Sequence, residues 1–314
     1  MRFSLSSVLL AAASALTASA QSCDDEVQHT VWLAGDSTMA PDGGHNGTEG
    51  WGQYLRYSLD SSKIRVNNSA YAGRSARTFT REGRFQRIID EVKPGDWVVI
   101  EFGHNDGPGN PATDTKNRVD CPGIGNETCT AIFNNATEIV QTYTTYLRNA
   151  SSIFLSLGAR VVISTSTPTN PWQTGNFTWA PRIFSWYSWH VVDSLGGPAA
   201  GIYYVPAADY RAQALKLQGP EAAARGYPMD NTHMAPDLAD AFSQAFVLGL
   251  KCGTSPLQQY VVNATSRIEG PELGTCLSVN ATLPIGAHDR SISYSGDLKL
   301  VELSLLYRLG DLAH

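Results

Sequence analysis

The sequence lacks two features that would have assigned it to large classes of protein. It has no run of eighteen apolar residues, so no segment is a candidate membrane-spanning helix. It also has no basic cluster, and its 29 acidic against 23 basic residues give a formal net charge of −6, which argues against a nucleic-acid partner. The composition predicts a mildly acidic soluble protein that binds neither membranes nor nucleic acids.

Closely spaced metal ligands are absent as well. The five cysteines contain no Cys-x-x-Cys pair, and no two of the seven histidines lie within fifteen residues of each other. Zinc hydrolases usually take two of their ligands from within a few residues. We therefore expect no metal, and keep a metal-dependent deacetylase with ligands brought together by folding as the main competing enzyme class.

The first twenty residues have the pattern of a secretory signal peptide. Arg2 precedes an apolar stretch at 8–17, and the small residues Ala18-Ser19-Ala20 resemble a cleavage site. We expect residues 1–20 to be removed and the protein to be extracellular.

Sequons and cysteines fit that compartment. Eight of the fifteen asparagines begin an Asn-x-Ser/Thr sequon, far more than chance gives, which indicates a glycosylated surface. These candidates are Asn46, Asn67, Asn126, Asn135, Asn149, Asn176, Asn263 and Asn280. In an oxidising compartment the local pairs Cys121/Cys129 and Cys252/Cys276 would each close a modest loop and leave Cys23 unpaired, although five cysteines allow fifteen such arrangements.

Short β-branched runs alternate with helix-like stretches after the signal. The predicted strands are 30–34, 63–66, 97–102, 160–164 and 202–205, and the predicted helices are 51–59, 83–92, 131–157, 182–195, 207–217 and 236–250. This alternation predicts parallel strands joined by crossover helices, hence an α/β fold with a five-stranded parallel sheet in a three-layer α/β/α sandwich. We expect one catalytic domain over residues 21–277.

Polar motifs follow several of these strands, at the sheet edge where ligands bind in open α/β sheets. They bring a serine (Ser37), glycine amides near Gly73 and a side-chain amide (Asn105), and a late loop adds Asp230 three residues before His233. These groups suit acyl transfer, which needs a nucleophile, a base with an orienting carboxylate, and donors for the oxyanion. Each motif alone has a structural explanation as a turn or helix cap, whereas the ordered set favours catalysis.

Four blocks together make the chain resemble the SGNH (GDSL-type) hydrolases. They are GDSTM at 35–39, AGRSAR at 72–77, GHND at 103–106 and DNTH at 230–233. AGRSARTFTREGRF at 72–85, EFGHNDG at 101–107, NPW at 170–172 and the cysteines 121/129 and 252/276 resemble one branch, the fungal rhamnogalacturonan acetylesterases, over residues 29–277.

This resemblance implies a flavodoxin-like SGNH fold and a residue-by-residue site. Ser37 would be the nucleophile, Asp230 and His233 would complete the triad, and Gly73 and Asn105 would join the Ser37 amide in the oxyanion hole. The implied reaction is hydrolysis of acetyl esters on the rhamnogalacturonan backbone of pectin, without a cofactor. We expect a plant cell-wall polysaccharide as the partner and a monomeric enzyme.

Two further alternatives remain open from the sequence. The substrate could be another acetylated glycan such as xylan, or the protein could be a secreted polysaccharide-binding protein without catalysis. The complete set of nucleophile, base and oxyanion donors argues against the second.

Substrate contacts and the chain end rest on weaker patterns. Arg74 and Arg77 begin a series of arginines beside Gly73 and could hold galacturonate carboxylates, although a helix face paired with acidic residues explains the series equally well.

His104 is expected to be structural, because the resemblance places the base in the later Asp-x-x-His block. Residues 278–314 lie beyond the resemblance and are predicted to be a tail of uncertain structure.

Overall fold

Five parallel strands form the central sheet of the computed structural model, which describes residues 28–107, 109–262 and 272–278. The strands are β1 (His29–Gly35), β2 (Ile64–Asn68), β3 (Trp97–Glu101), β6 (Arg160–Ser164) and β7 (Ile202–Val205). Their spatial order is β2-β1-β3-β6-β7. The predictions for residues 1–20, Cys23, Asn263, Asn280 and residues 279–314 lie outside the described residues.

Helices cover both faces of this sheet. They are α1 (Ala76–Arg81), α2 (Arg84–Ile89), α3 (Tyr143–Ser156), α4 (Ile183–Ser194), α5 (Ala207–Gly226) and α6 (Pro236–Lys251). Alternate strand residues point to opposite faces: Val31 and Leu33 pack in one core with residues of α5 and α6, while Trp32 and Ala34 pack in a second core with residues of α1–α4. The three-layer α/β/α sandwich with a five-stranded parallel sheet is confirmed.

The predicted helix at 131–157 is wrong in its first part. Residues Thr128–Phe133 and Ala136–Gln141 form an antiparallel hairpin, β4 and β5, and the helix begins only at Tyr143. The turn is made by Asn134 and Asn135, whose φ angles of 51° and 60° lie in the left-handed region that asparagine tolerates. Ile139, which lies four residues before Tyr143 and so matches the apolar spacing of a helix, is exposed on β5.

Three smaller differences concern helices. Residues 51–59 form two 3₁₀ turns, Trp51–Gln53 and Leu55–Tyr57, instead of an α-helix. A helix not predicted, α1, starts at a capping box in which Ser75 and Thr78 satisfy each other's backbone amides. The fifth helix runs past residue 217 to Gly226, with a break at Gly219 (φ 84°) before Pro220.

Both proposed disulfides are present. Cys121–Cys129 ties the segment before the hairpin to β4, and Cys252–Cys276 ties the end of α6 to the segment 272–278. That segment also lies against α5, because Gln213 Nε2 donates to the carbonyls of Leu273 at 3.0 Å and Thr275 at 2.9 Å.

A buried ion pair lies at the carboxyl end of β3. Arg211 Nη1 on α5 contacts Glu101 Oε1 at 2.9 Å and Oε2 at 3.0 Å, and both side chains are almost fully buried. Glu101 also accepts hydrogen bonds from Trp51 Nε1 at 2.9 Å and from Ser164 Oγ at the end of β6. Burial raises the pKa of Glu101, and the charge of Arg211 opposes that rise.

We expect Arg211→Met to lower the free energy of unfolding by about 3–5 kcal/mol, because it leaves a buried carboxylate without its counter-charge. The double variant Glu101→Gln/Arg211→Met should recover most of that loss, since neither charge then remains. Urea unfolding followed by circular dichroism measures both. A single variant as stable as the wild type would contradict this account of the pair.

Candidate active site

The side chains expected to act together meet at the carboxyl edge of the sheet. Ser37 follows β1 and Asn105 follows β3, which are neighbouring strands. The segment after β2 continues along β1, since the amide of Tyr71 donates to the carbonyl of Gly35 at 3.0 Å, and this brings Gly73 to the same edge. The loop before α6 supplies Asp230 and His233.

Ser37, His233 and Asp230 form a continuous hydrogen-bonded chain. Ser37 Oγ lies 2.9 Å from His233 Nε2, and His233 Nδ1 lies 2.6 Å from Asp230 Oδ2. An imidazole that donates from Nδ1 to a carboxylate presents an unprotonated Nε2, which can accept the serine proton. The three residues therefore have the contacts of a nucleophile, a base and an orienting acid.

The Asp230 carboxylate is fixed by its own loop. Its Oδ1 accepts hydrogen bonds from the amides of Thr232 and His233, each at 2.7 Å. Partial burial raises the pKa of Asp230, but the hydrogen bonds from His233 and Thr232 outweigh it and hold this pKa below its usual value. The carboxylate, whose side chain is 47% exposed, thus stays ionised.

The loop that contains Gly44 packs against the imidazole of His233. The sequence alone predicts no role for this loop. A Cβ placed on Gly44 would lie 2.4 Å from His233 Cγ and 2.7 Å from Nδ1, so only glycine fits against the ring here. Gly44 is itself fixed by its amide, which donates to Thr48 Oγ1 at 2.8 Å. The glycine pair at 43–44 was the available sequence signal, because adjacent glycines indicate a tight turn or a close approach.

Asn105 and Gly73 lie side by side near the serine. Asn105 Nδ2 donates to the carbonyl of Arg74, the residue after Gly73, at 3.1 Å. Asn105 Oδ1 accepts from Arg118 Nη1 at 2.8 Å. Gly73 has φ +75°, a left-handed conformation that favours glycine. Their assignment to an oxyanion hole, with the Ser37 amide, stays a prediction, and Arg118 was not singled out by the sequence.

The arginines expected to bind substrate are mostly used within the protein. Arg77 is fully buried and pairs with Glu138 of β5, so it does not reach a polysaccharide, and that prediction is wrong. Arg74 is partly exposed, but it pairs with Glu82 and stacks on the ring of Tyr71, 4.5 Å from its centroid. The alternative of acidic partners describes both residues, although Arg77 is buried instead of solvated.

Two buried carboxyls next to Asn105 share an environment poor in donors. Asp106 Oδ1 accepts from the Ala76 amide at 2.7 Å, whereas Asp106 Oδ2 and both Asp120 oxygens have no N–H or O–H partner. Burial raises the pKa of both carboxyls, and the neighbouring carboxylate raises that of Asp120 further. A proton held between them lets an oxygen of one carboxyl donate to an oxygen of the other, so the pair remains protonated at pH values where an exposed aspartate is ionised.

His104 makes a different contact from the catalytic candidates. Its Nε2 lies 2.8 Å from Thr167 Oγ1, and burial, assisted by the charge of Arg182, lowers its pKa to about 4. A neutral imidazole bonded to a threonine is consistent with the structural role expected for it.

The six sequon asparagines inside the described ranges are all exposed: Asn46, Asn67, Asn126, Asn135, Asn149 and Asn176.

The part of the chain that the structure describes holds no group of three or more His, Cys, Asp or Glu side chains placed to bind a metal ion. Within the same residues, none of the helices combines the length and apolar character that crossing a bilayer requires.

Comparison with known families agrees with the fold. The model of the GDSL-like lipase/acylhydrolase family matches residues 33–239, a range that contains Ser37, Asn105, Asp230 and His233. The chain belongs to this family and is a carboxylic ester hydrolase.

Two relatives and one solved structure are similar to this chain. The chain is 43% identical over 223 residues to the rhamnogalacturonan acetylesterase of Emericella nidulans, covering 71% of this chain and 85% of that enzyme. It is 43% identical over 77 residues to the rhamnogalacturonan acetylesterase RhgT of Bacillus subtilis, covering 24% of this chain and 33% of that enzyme. The crystal structure of Bacillus subtilis YxiM matches with a TM-score of 0.55 at 21% identity, over 72% of this chain and 56% of that chain.

We expect Gly44→Ala to lower kcat about a hundredfold on an aryl acetate, because the added methyl displaces the His233 ring from Ser37. Gly47→Asn on the same loop is the matched control: Gly47 has φ +82° and open space around its Cβ position, which asparagine tolerates. Steady-state kinetics and melting temperatures measure both. A folded Gly44→Ala enzyme with normal kcat would contradict the packing argument.

We expect the Asp106–Asp120 pair to make stability fall as pH rises. Both pKa values are raised in the folded state, so the stabilisation is complete at low pH and is lost as the pair gives up its proton. Asp120→Asn should flatten this dependence, because the amide donates to Asp106 at every pH. The measurement is the difference in free energy of unfolding between wild type and variant from about pH 5 to about pH 9; a difference that does not change with pH would contradict it.

Proposed function

We propose that the protein is a secreted acetylesterase that hydrolyses acetyl esters on the rhamnogalacturonan backbone of pectin through a Ser-His-Asp acyl-enzyme mechanism. The observation that carries the mechanism is the hydrogen-bonded chain from Ser37 through His233 to Asp230. The observation that supports the substrate is the 43% identity to the Emericella nidulans rhamnogalacturonan acetylesterase.

In the acylation half of the reaction, Ser37 Oγ attacks the acetyl carbonyl carbon while His233 Nε2 takes the serine proton. The Asp230 carboxylate stabilises the imidazolium that results. The carbonyl oxygen becomes an oxyanion, for which the amides of Ser37 and Gly73 and the second N–H of Asn105 Nδ2 are the proposed donors.

Collapse of this intermediate breaks the bond between the acetyl carbon and the sugar oxygen. His233 Nε2 returns its proton to that oxygen, so the free sugar hydroxyl leaves and an acetyl group stays on Ser37. In the second half, His233 takes a proton from water, the hydroxide attacks the acetyl-serine, and acetate leaves as Ser37 Oγ is reprotonated.

An extracellular location is part of the proposal. It is supported by the signal-like residues 1–20, by two disulfides, and by six exposed sequon asparagines. The polysaccharide substrate fits this location, since a cell-wall polymer is met outside the cell.

We expect wild-type protein to release acetate from acetylated rhamnogalacturonan and from an aryl acetate, and Ser37→Ala to lose at least about a thousandfold in kcat on both. Ser62→Ala, which removes an exposed hydroxyl bonded to Asp60, is the matched control and should retain full activity. Acetate is quantified enzymatically, and melting temperatures report folding.

The other outcomes identify the alternatives. Faster release from acetylated xylan than from acetylated rhamnogalacturonan would replace the proposed substrate. Binding of the polymer by wild type and Ser37→Ala alike, without acetate release, would indicate a binding protein. Activity lost in a chelator but retained after treatment with a serine-directed organophosphate would overturn the serine mechanism.

A further inference from the structure

Arg118 contacts two of the residues proposed to bind the oxyanion. Its Nη1 donates to Asn105 Oδ1 at 2.8 Å. Its Nη2 lies 3.1 Å from the position that a Cβ on Gly73 would occupy. The guanidinium therefore lies against both residues, although it forms none of the contacts within the triad.

The orientation of the Asn105 amide decides whether it can stabilise an oxyanion. Only Nδ2 carries hydrogens, and one of its two N–H groups is already given to the Arg74 carbonyl at 3.1 Å. The other is free for substrate only while Oδ1 faces Arg118. A reversed amide would place Oδ1 against the Arg74 carbonyl and Nδ2 against the guanidinium, and both contacts would be repulsive.

Arg118 is held in place by a tight loop around one carboxylate. Asp114 Oδ1 accepts from the amide of Lys116 at 2.9 Å, and Asp114 Oδ2 accepts from the amides of Arg118 at 2.5 Å and Val119 at 2.7 Å. Three backbone donors on one side chain fix the path of the chain through Arg118.

The residues on both sides of Arg118 are fixed as well. The carbonyl of Asn117 accepts from Arg81 Nη1 at 3.2 Å, and the carbonyl of Val119 accepts from Arg77 Nη1 at 2.8 Å. Helix α1 thus holds the backbone that carries the guanidinium.

Arg77 and Arg81 are themselves anchored by Glu138 on the hairpin strand β5. Arg77, expected from the sequence to bind substrate, instead contacts the segment that carries Arg118. The connection runs from the hairpin through α1 to the Arg118 loop and ends at Asn105.

Within the part of the chain that the structure describes, the charge of Arg118 has no carboxylate partner. Among the described residues, no Asp or Glu oxygen lies within ion-pair distance of its guanidinium, whereas Arg74, Arg77, Arg81 and Arg84 each have one. Its one side-chain hydrogen bond to a described residue goes to Asn105.

We propose that Arg118 is a positioning residue that keeps the Asn105 amide turned with Nδ2 toward the oxyanion. The inference rests on the proposed ester hydrolysis, but not on the identity of the polysaccharide. Arg118 acts through Asn105, so it affects the transition state more than substrate binding.

The test is a double-mutant cycle on a small uncharged aryl acetate, a substrate with no carboxylate for Arg118 to bind. Asn105→Ala should lower kcat about 10²–10³-fold, as loss of an oxyanion donor does. Arg118→Met should lower kcat about tenfold or more with KM nearly unchanged, and should cost less than about twofold further when Asn105 is already alanine.

Two control variants accompany the cycle. Lys116→Met removes an exposed positive charge from the same loop and should retain wild-type kcat. Arg118→Lys keeps one donor and should recover part of the loss. Melting temperatures show that each variant is folded, and Arg118→Lys carries the test if Arg118→Met does not fold.

Multiplying effects of Arg118→Met and Asn105→Ala would overturn the inference, because the two residues would then act independently. So would an effect of Arg118→Met on KM for a uronate polymer with none on the aryl acetate. Failure to deacetylate rhamnogalacturonan would overturn only the proposed substrate, whereas absence of Ser37-dependent aryl acetate hydrolysis would overturn both proposals.

Discussion

The buried pair of Glu101 and Arg211 is the interaction on which the site most depends. A carboxylate in the middle of the sheet is tolerated only with its counter-charge and its hydrogen-bond donors in place. Those partners come from β6, α5 and the 3₁₀ turn at Trp51, so these elements must be correctly placed at once. Asn105 lies four residues beyond Glu101. The pair therefore fixes the carboxyl end of β3, from which the chain continues to Asn105. Among the described residues, it contacts none of the proposed catalytic groups.

The sheet and the contacts of Ser37, His233 and Asp230 could be predicted because they rest on patterns that are local in the sequence. Buried β-branched runs define the strands, and parallel strands end at a common edge, so motifs after β1 and β3 had to meet. The distance of 2.9 Å between Ser37 Oγ and His233 Nε2 follows from that topology together with the loop before α6. Contacts such as Gly44 against the His233 ring could not be predicted, because they depend on how two loops pack.

The sequence predicts a helix where the hairpin lies, because the spacing of apolar residues there is also that of a helix. Ile139 matches a three- and four-residue period that continues into α3, yet the two asparagines at the turn adopt left-handed φ angles that end any helix there. Because the hairpin was not predicted, Glu138 could not be recognised as the partner of Arg77 and Arg81. Without that carboxylate, the arginine series suggests a binding surface for acidic ligands as readily as a helix face paired with acidic residues. In the folded protein Arg77 and Arg81 contact the hairpin and the segment around Arg118.

Ser37 and His233, which are in hydrogen-bond contact, lie 196 residues apart in the sequence. Their contact closes a loop that includes most of the chain, and the conformational entropy lost on closing a loop grows with its length. Ser37 follows the first strand of the sheet in sequence order, while His233 lies in the loop before the last long helix. Regain of activity during refolding would therefore report the completion of the whole sheet. A partly folded chain with only its early strands in place would still lack the contact between Ser37 and His233.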